Sequence, residues 1–157
     1  MNKRIAIIRI RSGLKAKEQV EDTMKMLRLY KVNTCVVVPN TPNMVGMIEK
    51  IKDYVTWGEI DDKTMKQLLV KRGKLPGNKP ITEEYIKEKT KMSSDDFVKA
   101  FMDFKKELKE IAGIKTFFRL NPPAKGFDRN GIKKTFVQGG VLGYRKDQIN
   151  ELLMRMI

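Results

Sequence analysis

Apolar and polar positions switch between two periods along this chain, and the switches predict its elements. "RIAIIRIR", Arg4 to Arg11, is isoleucine-rich and too continuous for a strand with one wet face, so it predicts a buried strand. From Lys15 to about Tyr30, Val20, Met24 and Leu27 recur at helical spacing and predict a helix. "NTCVVVPN", Asn33 to Asn40, predicts a second buried strand closed by Pro39. Thr41-Pro42 sets a capping oxygen before a first-turn proline and predicts a helix start. Met44, Met47, Ile48 and Ile51 form that helix's apolar stripe, and "YVTWGEI", Tyr54 to Ile60, predicts a third strand. Two strand-helix-strand units in succession imply crossovers over one sheet.

The pattern after Ile60 turns helical. Asp61 or Asp62 caps a helix that ends near Gly73, and "RGKLPGNKP" is a loop. Thr82 opens a short helix with Glu83 and Glu84 at its positive end. Ser93 and Asp96 have the spacing of a capping box with the shorter acid. Phe97, Phe101, Phe104, Leu108 and Ile111 follow at steps of four and three, predicting one continuous helix stopped by Gly113. "TFFRL" (116–120) and "KTFVQ" (134–138) predict short strands, and Asp147 caps a last helix, "QINELLMRMI". The expected class is α/β (α+β). A small βαβαβ core over 1–60 carries an extension over 61–157, with helices, a basic loop and a C-terminal helix packing on that core.

Charge divides the chain more sharply than hydrophobicity does. The net charge is +14 over 157 residues. Residues 1–17 and 63–82 each carry six cations and no acid, and 113–146 carries eight cations against Asp128 alone. The intervening stretch 83–110 is nearly neutral, with seven cations and eight acids. An ordinary solvated surface intersperses the two signs, so one-sign blocks point to a polyanion as partner. A membrane is the poorer candidate. No apolar run nears the roughly 20 residues of a span, and no basic amphipathic helix stands out. The opening apolar stretch is broken by Arg9 and Arg11, which reads as a strand rather than a signal peptide.

Catalysis and cofactors find little support. Histidine is absent, removing the commonest general base and metal ligand, and Cys35 is alone, which excludes a disulfide framework or cysteine metal cluster. Neither a P-loop nor a dinucleotide fingerprint is present. The paired carboxylates Asp61-Asp62 and Asp95-Asp96 stand where helices need caps. "GVLG" (140–143) reads as a turn, and Trp57 as half-buried structure. The first strand has no aromatic for stacking bases, which excludes an RNA-recognition-motif mode. Arg9 and Arg11 alternate with isoleucines and should share one side of the sheet, where phosphate is a natural partner. The expectation is no enzyme, no metal, no cofactor and no small-molecule substrate.

The densest signal is "NPPAKGFDRNGIKKTFVQGGVLGYR", 121–145. It holds Lys125, Arg129, Lys133, Lys134 and Arg145 against Asp128, with five glycines and two prolines. Asn121–Lys134 is expected to gain its shape against RNA. Thr135–Arg145 is expected to be a strand and glycine turn held by the protein, delivering Arg145 to the last helix.

Several of these stretches resemble the large-ribosomal-subunit protein thirty family in its longer archaeal and eukaryotic form, whose eukaryotic members are called large-subunit protein seven. "RIRSG" resembles the family's first strand and turn, "TPNMVGMIEKIKDYVTWGEI" the region shared with short bacterial members, and "LLVKRG" the start of the longer form's extension. "TFVQGGVLGYRKDQINELLMRM" resembles its most specific signature. Gln138 stands where eukaryotic members usually have an acid, and the chain begins almost on its first strand, which points to the archaeal form. The resemblance implies a compact α/β core with a three-stranded antiparallel-type sheet and two helices. It also implies a cytoplasmic structural constituent of the large ribosomal subunit, bound to 23S-type ribosomal RNA, with 5S contact in longer forms and ribosomal proteins as neighbours. Matched motif positions put RNA contacts at Arg9, Arg11, Ser12, Lys71, Arg72, Gly73, Gly139, Gly140, Gly143 and Arg145. Charge and loop context add Lys15, Lys125, Arg129, Lys133 and Lys134. An assembly-factor paralogue binding precursor RNA, or an RNA-processing enzyme using the carboxylates, are the alternative expectations.

Overall fold

The computed structural model describes residues 3–14 and 16–157. Three strands, β1 (Arg4–Arg9), β2 (Thr34–Pro39) and β3 (Val55–Glu59), form the centre of the sheet. Helix α1 (Glu18–Met26) joins the first two and α2 (Pro42–Lys50) the second and third. β1 lies between its partners and runs antiparallel to both. The α2 connection is therefore a crossover between parallel strands, as the pattern implied, whereas α1 links antiparallel neighbours.

Among the described residues the sheet has five strands, not the three expected. Two-residue strands β4 (Phe118–Arg119) and β5 (Gly143–Tyr144) add to its edges, giving the order β4-β2-β1-β3-β5. β4 falls inside "TFFRL" as expected, but "KTFVQ" is a 3-10 turn at Phe136–Gln138 rather than a strand. Gly139, at φ 78°, reverses the chain there, and the strand forms only after the turn, at Gly143.

Alternation along β1 and β2 sends residues to two separate cores. Ile5, Ile7, Val36, Val38 and Val55 pack with Met24, Leu27, Ile48 and Ile51 under α1 and α2. Ala6, Ile8, Cys35 and Val37 face the opposite layer, built from α3 (Asp62–Arg72), α4 (Glu83–Thr90), α5 (Ser94–Met102) and α6 (Ile149–Met156). Burial on both faces explains why the strands read as continuous apolar runs. It also pushes the Cys35 thiol well above its usual range, so it acts as a small apolar residue.

Capping follows the sequence closely. The hydroxyls of Thr41, Thr82 and Ser93 accept from the amides of Met44, Tyr85 and Asp96, each worth about 1 kcal/mol. Asp61 occupies the cap position of α3 without a side-chain cap bond. Asp147 lies inside a 3-10 turn, Lys146–Gln148, that leads into α6.

The long phenylalanine seam is not one helix. α5 ends at Met102, Phe104 takes φ 62°, and Leu108–Glu110 forms a separate 3-10 turn. Arg4, which is 1% exposed, fills the break. Its Nε donates to the Phe101 carbonyl at 2.7 Å, and its Nη2 to the Lys106 carbonyl at 3.2 Å and the Glu107 carboxylate at 2.8 Å. Its guanidinium lies 3.6 Å from the Phe101 ring centroid and 4.6 Å from that of Phe104. A cation capping the carbonyl end of α5 lets the chain turn while Phe97, Phe101, Leu108 and Ile111 still reach one core.

Asn150 performs a similar task at the other edge. Its amide donates to the carbonyls of Glu59 and Asp147 and its oxygen accepts from the Asp61 amide, tying α6 to the end of β3. The two elements approach so closely that a Cβ on Gly58 would meet the Lys146 carbonyl at 2.0 Å.

Candidate nucleic-acid interface

Lys3, Arg4, Lys63, Lys66 and Lys146 lie towards one end of the sheet, while the chain paths bring part of each basic block to the other. β1 finishes there, β2 and β3 begin there, and the pairing of Thr34 with Arg119 and of Thr56 with Gly143 ends β4 and starts β5 there. α3 and α6 leave from the opposite end and run back, so their last turns return to the same place. The Met156 carbonyl accepts from the Asn121 amide, and the Arg155 carbonyl from that of Ala124. The loop 121–142 thus hangs from β4, β5 and the last turn of α6.

Not every expected contact residue is on the surface. Arg9 is 7% exposed and donates to the carbonyls of Arg11, Leu29 and Tyr30 at 3.1, 2.7 and 3.0 Å. Burial lowers its pKa, partly offset by Glu21. Arg145 is 3% exposed. It donates at 3.0 Å to Thr56 Oγ1, Asp128 Oδ2 and the Val141 carbonyl, with the Phe136 ring centroid 4.6 Å away. Burial lowers its pKa too, opposed by Asp128. The expectation that Arg9 and Arg11 point to one side of the sheet presumes a strand running through both, but β1 ends at Arg9, whose side chain is buried. Arg72 is half-buried, with Nε and Nη2 on the Ile157 carbonyl at 3.1 and 2.6 Å. These three arginines use their guanidinium donors to join elements.

Other candidates face outward. Arg11 is half-buried, with one donor on the Asp53 carbonyl at 3.1 Å and its guanidinium 5.4 Å from the Tyr54 ring centroid. Ser12 and Lys71 are exposed, and Lys15 lies outside the described residues. Lys125, Arg129, Lys133 and Lys134 are all exposed, without an ion pair among the described residues. Asp128, the loop's single acid, turns inward to Arg145 at 3.0 Å and Arg155 at 4.0 Å. The loop therefore shows solvent its cations and pairs its half-buried anion internally.

The two signature glycines have distinct tasks. Gly139 is exposed at φ 78°, a left-handed position suited to glycine. Gly140 is buried, and a Cβ there would lie 2.2 Å from the Lys134 carbonyl. Backbone bonds from Gly140, Val141 and Leu142 to Thr135 and Lys134 close this turn. Asn130 reaches it as well, donating to the Gln138 carbonyl at 2.6 Å. The protein thus supplies a frame for 121–134, a region whose shape the sequence reading left to RNA.

The frame can be tested directly. Asp128→Ala should speed amide exchange across 121–134 by about tenfold or more while costing at most about 2 kcal/mol of global stability, since the carboxylate is partly solvated. Unchanged exchange by mass spectrometry would mean that the remaining bonds suffice.

Sequence reasoning passed over Arg119 and Tyr30. Alternation in "TFFRL" buries Phe118 and so turns Arg119 outward, a signal present in the period of two. Tyr30 is 53% exposed beside Arg9, edge-on to Phe117 at 5.6 Å. The inward turn of Asp128 had a signal as well, since a lone acid among cations has partners close by.

A family model described as Ribosomal protein L30p/L7e matches residues 5–55, the stretch from β1 to the start of β3. Full-length similarity extends this. A protein of Nanoarchaeum equitans named large ribosomal subunit protein uL30 is 49% identical over 152 residues, covering 97% of each chain. The chain belongs to the uL30 family of ribosomal proteins. The uL30 of Methanopyrus kandleri is 48% identical over 149 residues, covering 94% of this chain and 100% of the relative. That of Methanococcus maripaludis strain C5 is 48% identical over 152 residues, covering 97% and 98%. The archaeal form expected from the sequence is borne out by these sources. Family membership makes the chain a structural constituent of the large ribosomal subunit, located in the cytoplasm, and not an enzyme.

Proposed function

We propose that the basic end of the sheet is the surface that grips 23S-type large-subunit ribosomal RNA, with a 5S contact on its margin. One observation supports this above the rest: four exposed loop cations, on a frame that pairs the loop's acid with Arg145, emerge at the end of the sheet where Arg11, Ser12 and Lys71 are also found. Lys125, Arg129, Lys133 and Lys134 neutralise phosphates and release counterions. Arg119 extends the same surface. Gly139 lets backbone approach the RNA. Arg9, Arg72, Gly140 and Arg145 act one step back, holding the β1 turn, the α6 terminus and the loop in register. Recognition is of RNA shape and backbone more than of base sequence, with Tyr30 offering one ring for a splayed base. In this reading 1–60 is the ribosomal-protein core, and 61–157 is an extension that adds the loop and the second helical layer.

The test is the salt dependence of binding to a large-subunit ribosomal RNA transcript. The logarithmic slope should be at least about −4, and changing the four loop cations to alanine should flatten it by roughly 3. A slope near zero, or no change in the variant, would defeat the proposal.

A further inference from the structure

The two long edges of the central sheet are finished differently. Beyond β3, β5 pairs with Thr56 and Trp57, and the turn before α6 covers Gly58 to backbone contact. Beyond β2, the ladder to β4 covers Thr34 and Cys35 and then stops. Val36–Pro39 is left with one unpaired edge, a feature proteins ordinarily cover or blunt.

Which groups are bare follows from the register. The Asn33 amide reaches the Arg9 carbonyl just before β2, but its carbonyl accepts from the Leu120 amide, and within β2 odd-numbered residues direct their backbone groups towards β4. Even-numbered residues direct theirs to β1, as the bond from the Asn40 amide to the Lys3 carbonyl confirms. The amide and carbonyl of Val37 consequently point out of the sheet, with no partner among the described residues. The β4 register would oppose Thr116 to Val37, but the chain leaves that line, because the Lys115 amide donates to the Lys74 carbonyl instead.

A groove of about 310 Å³ occupies the place β4 vacates. Its floor is Val36–Pro39, and the two helical layers form its walls. Met26, Leu27 and Met44 line one wall, Phe101 and Leu108 the other. Met26 is 73% exposed on the rim.

We propose that this edge receives an extended polypeptide segment from a neighbouring protein of the large subunit, which adds a strand to the sheet beside Val36–Pro39. The four positions span about 13 Å. An amide and a carbonyl spaced for a ladder are satisfied together by another backbone, the basis of recognition by strand addition. A phosphate alone would serve the amide but leave the carbonyl unpaired, whereas a polypeptide strand presents donor and acceptor together at the ladder spacing. Apolar side chains line both walls, but Arg28, Glu107, Lys109 and Thr116 also line the groove, so the incoming strand carries apolar residues for its depth together with polar or charged ones that meet these four.

Hydrogen exchange at the Val37 amide tests this, comparing the free protein with the intact large subunit. Exchange should slow about 100-fold or more on assembly. A photo-crosslinking residue at Met26 in the subunit should join a polypeptide other than this chain. Val37→Pro removes the outward amide and no bond to β1, so it should abolish the crosslink and leave the salt slope for RNA unchanged. Equal exchange in both states would overturn the proposal. So would a crosslink to RNA alone or to a second copy, or equal protection by protein-free RNA. Should Val37→Pro fail to fold, Met26→Lys serves in its place, expected to weaken the crosslink at a photo-reactive Lys109.

Discussion

Residues 1–60 expressed alone will not give a monodisperse folded monomer. The fragment keeps one finished core, where α1 and α2 cover Ile5, Ile7, Val36, Val38 and Val55. Its other sheet face loses every partner from 61–157 and bares Ala6, Ile8, Ile10, Cys35, Val37 and Ile60. The four larger aliphatic side chains contribute about 1.5–3 kcal/mol each when buried, so about 6–12 kcal/mol is forfeited. That equals the whole net stability of a typical domain, about 5–15 kcal/mol. The fragment should therefore associate through the bare face and bind a hydrophobic dye. Ile8→Thr with Val37→Thr should reduce that association. A monomer with cooperative unfolding would instead show that the 1–60 core stands unaided, the stronger form of the division at residue 60.

Arg4→Ala should cost about 3–5 kcal/mol, read from the midpoint of denaturant unfolding. It removes a buried stem, leaves the Phe101 and Lys106 carbonyls short of a donor, and withdraws a cation from between two rings. Glu107→Gln removes the charge partner alone. Its carboxylate is 59% exposed, so the expected cost is under about 1 kcal/mol. The contrast carries the idea: equal costs would mean that the ion pair matters and the helix-end carbonyls do not. Arg4→Lys should recover little, since an ammonium cannot reproduce the planar fork.

Much of the fold is legible in the sequence because local chemistry and burial agree there. Thr41, Thr82 and Ser93 announce their helices through their own side chains. The isoleucine and valine runs announce strands covered on both faces. What is not legible depends on partners distant in the chain. The break after Met102 has its carbonyls taken up by Arg4, and nothing in "KAFMDFKKELKE" records that partner. Strand β5 has two residues, one a glycine, so its own composition carries no strand signal. The site divides likewise. Charge patterning finds the exposed loop cations, because exposure and charge go together. It cannot tell Lys133 from Arg145, since an arginine in a basic loop reads the same whether it meets solvent or Asp128. That difference is made by Thr56 and Asp128, 89 and 17 residues away.

The sheet order has a consequence for how the chain is made. β1 emerges first and lies at the centre, but α6, which closes its second face, is the last element to emerge. At about 5–20 residues per second, the stretch after Ile60 takes on the order of 5–20 s to synthesise, far longer than strands and helices need to collapse. For that interval a nascent chain presents a finished helical layer on one side and an uncovered apolar sheet on the other. It is then at its most vulnerable to wrong partners, and a ribosome-bound chaperone has its longest opportunity.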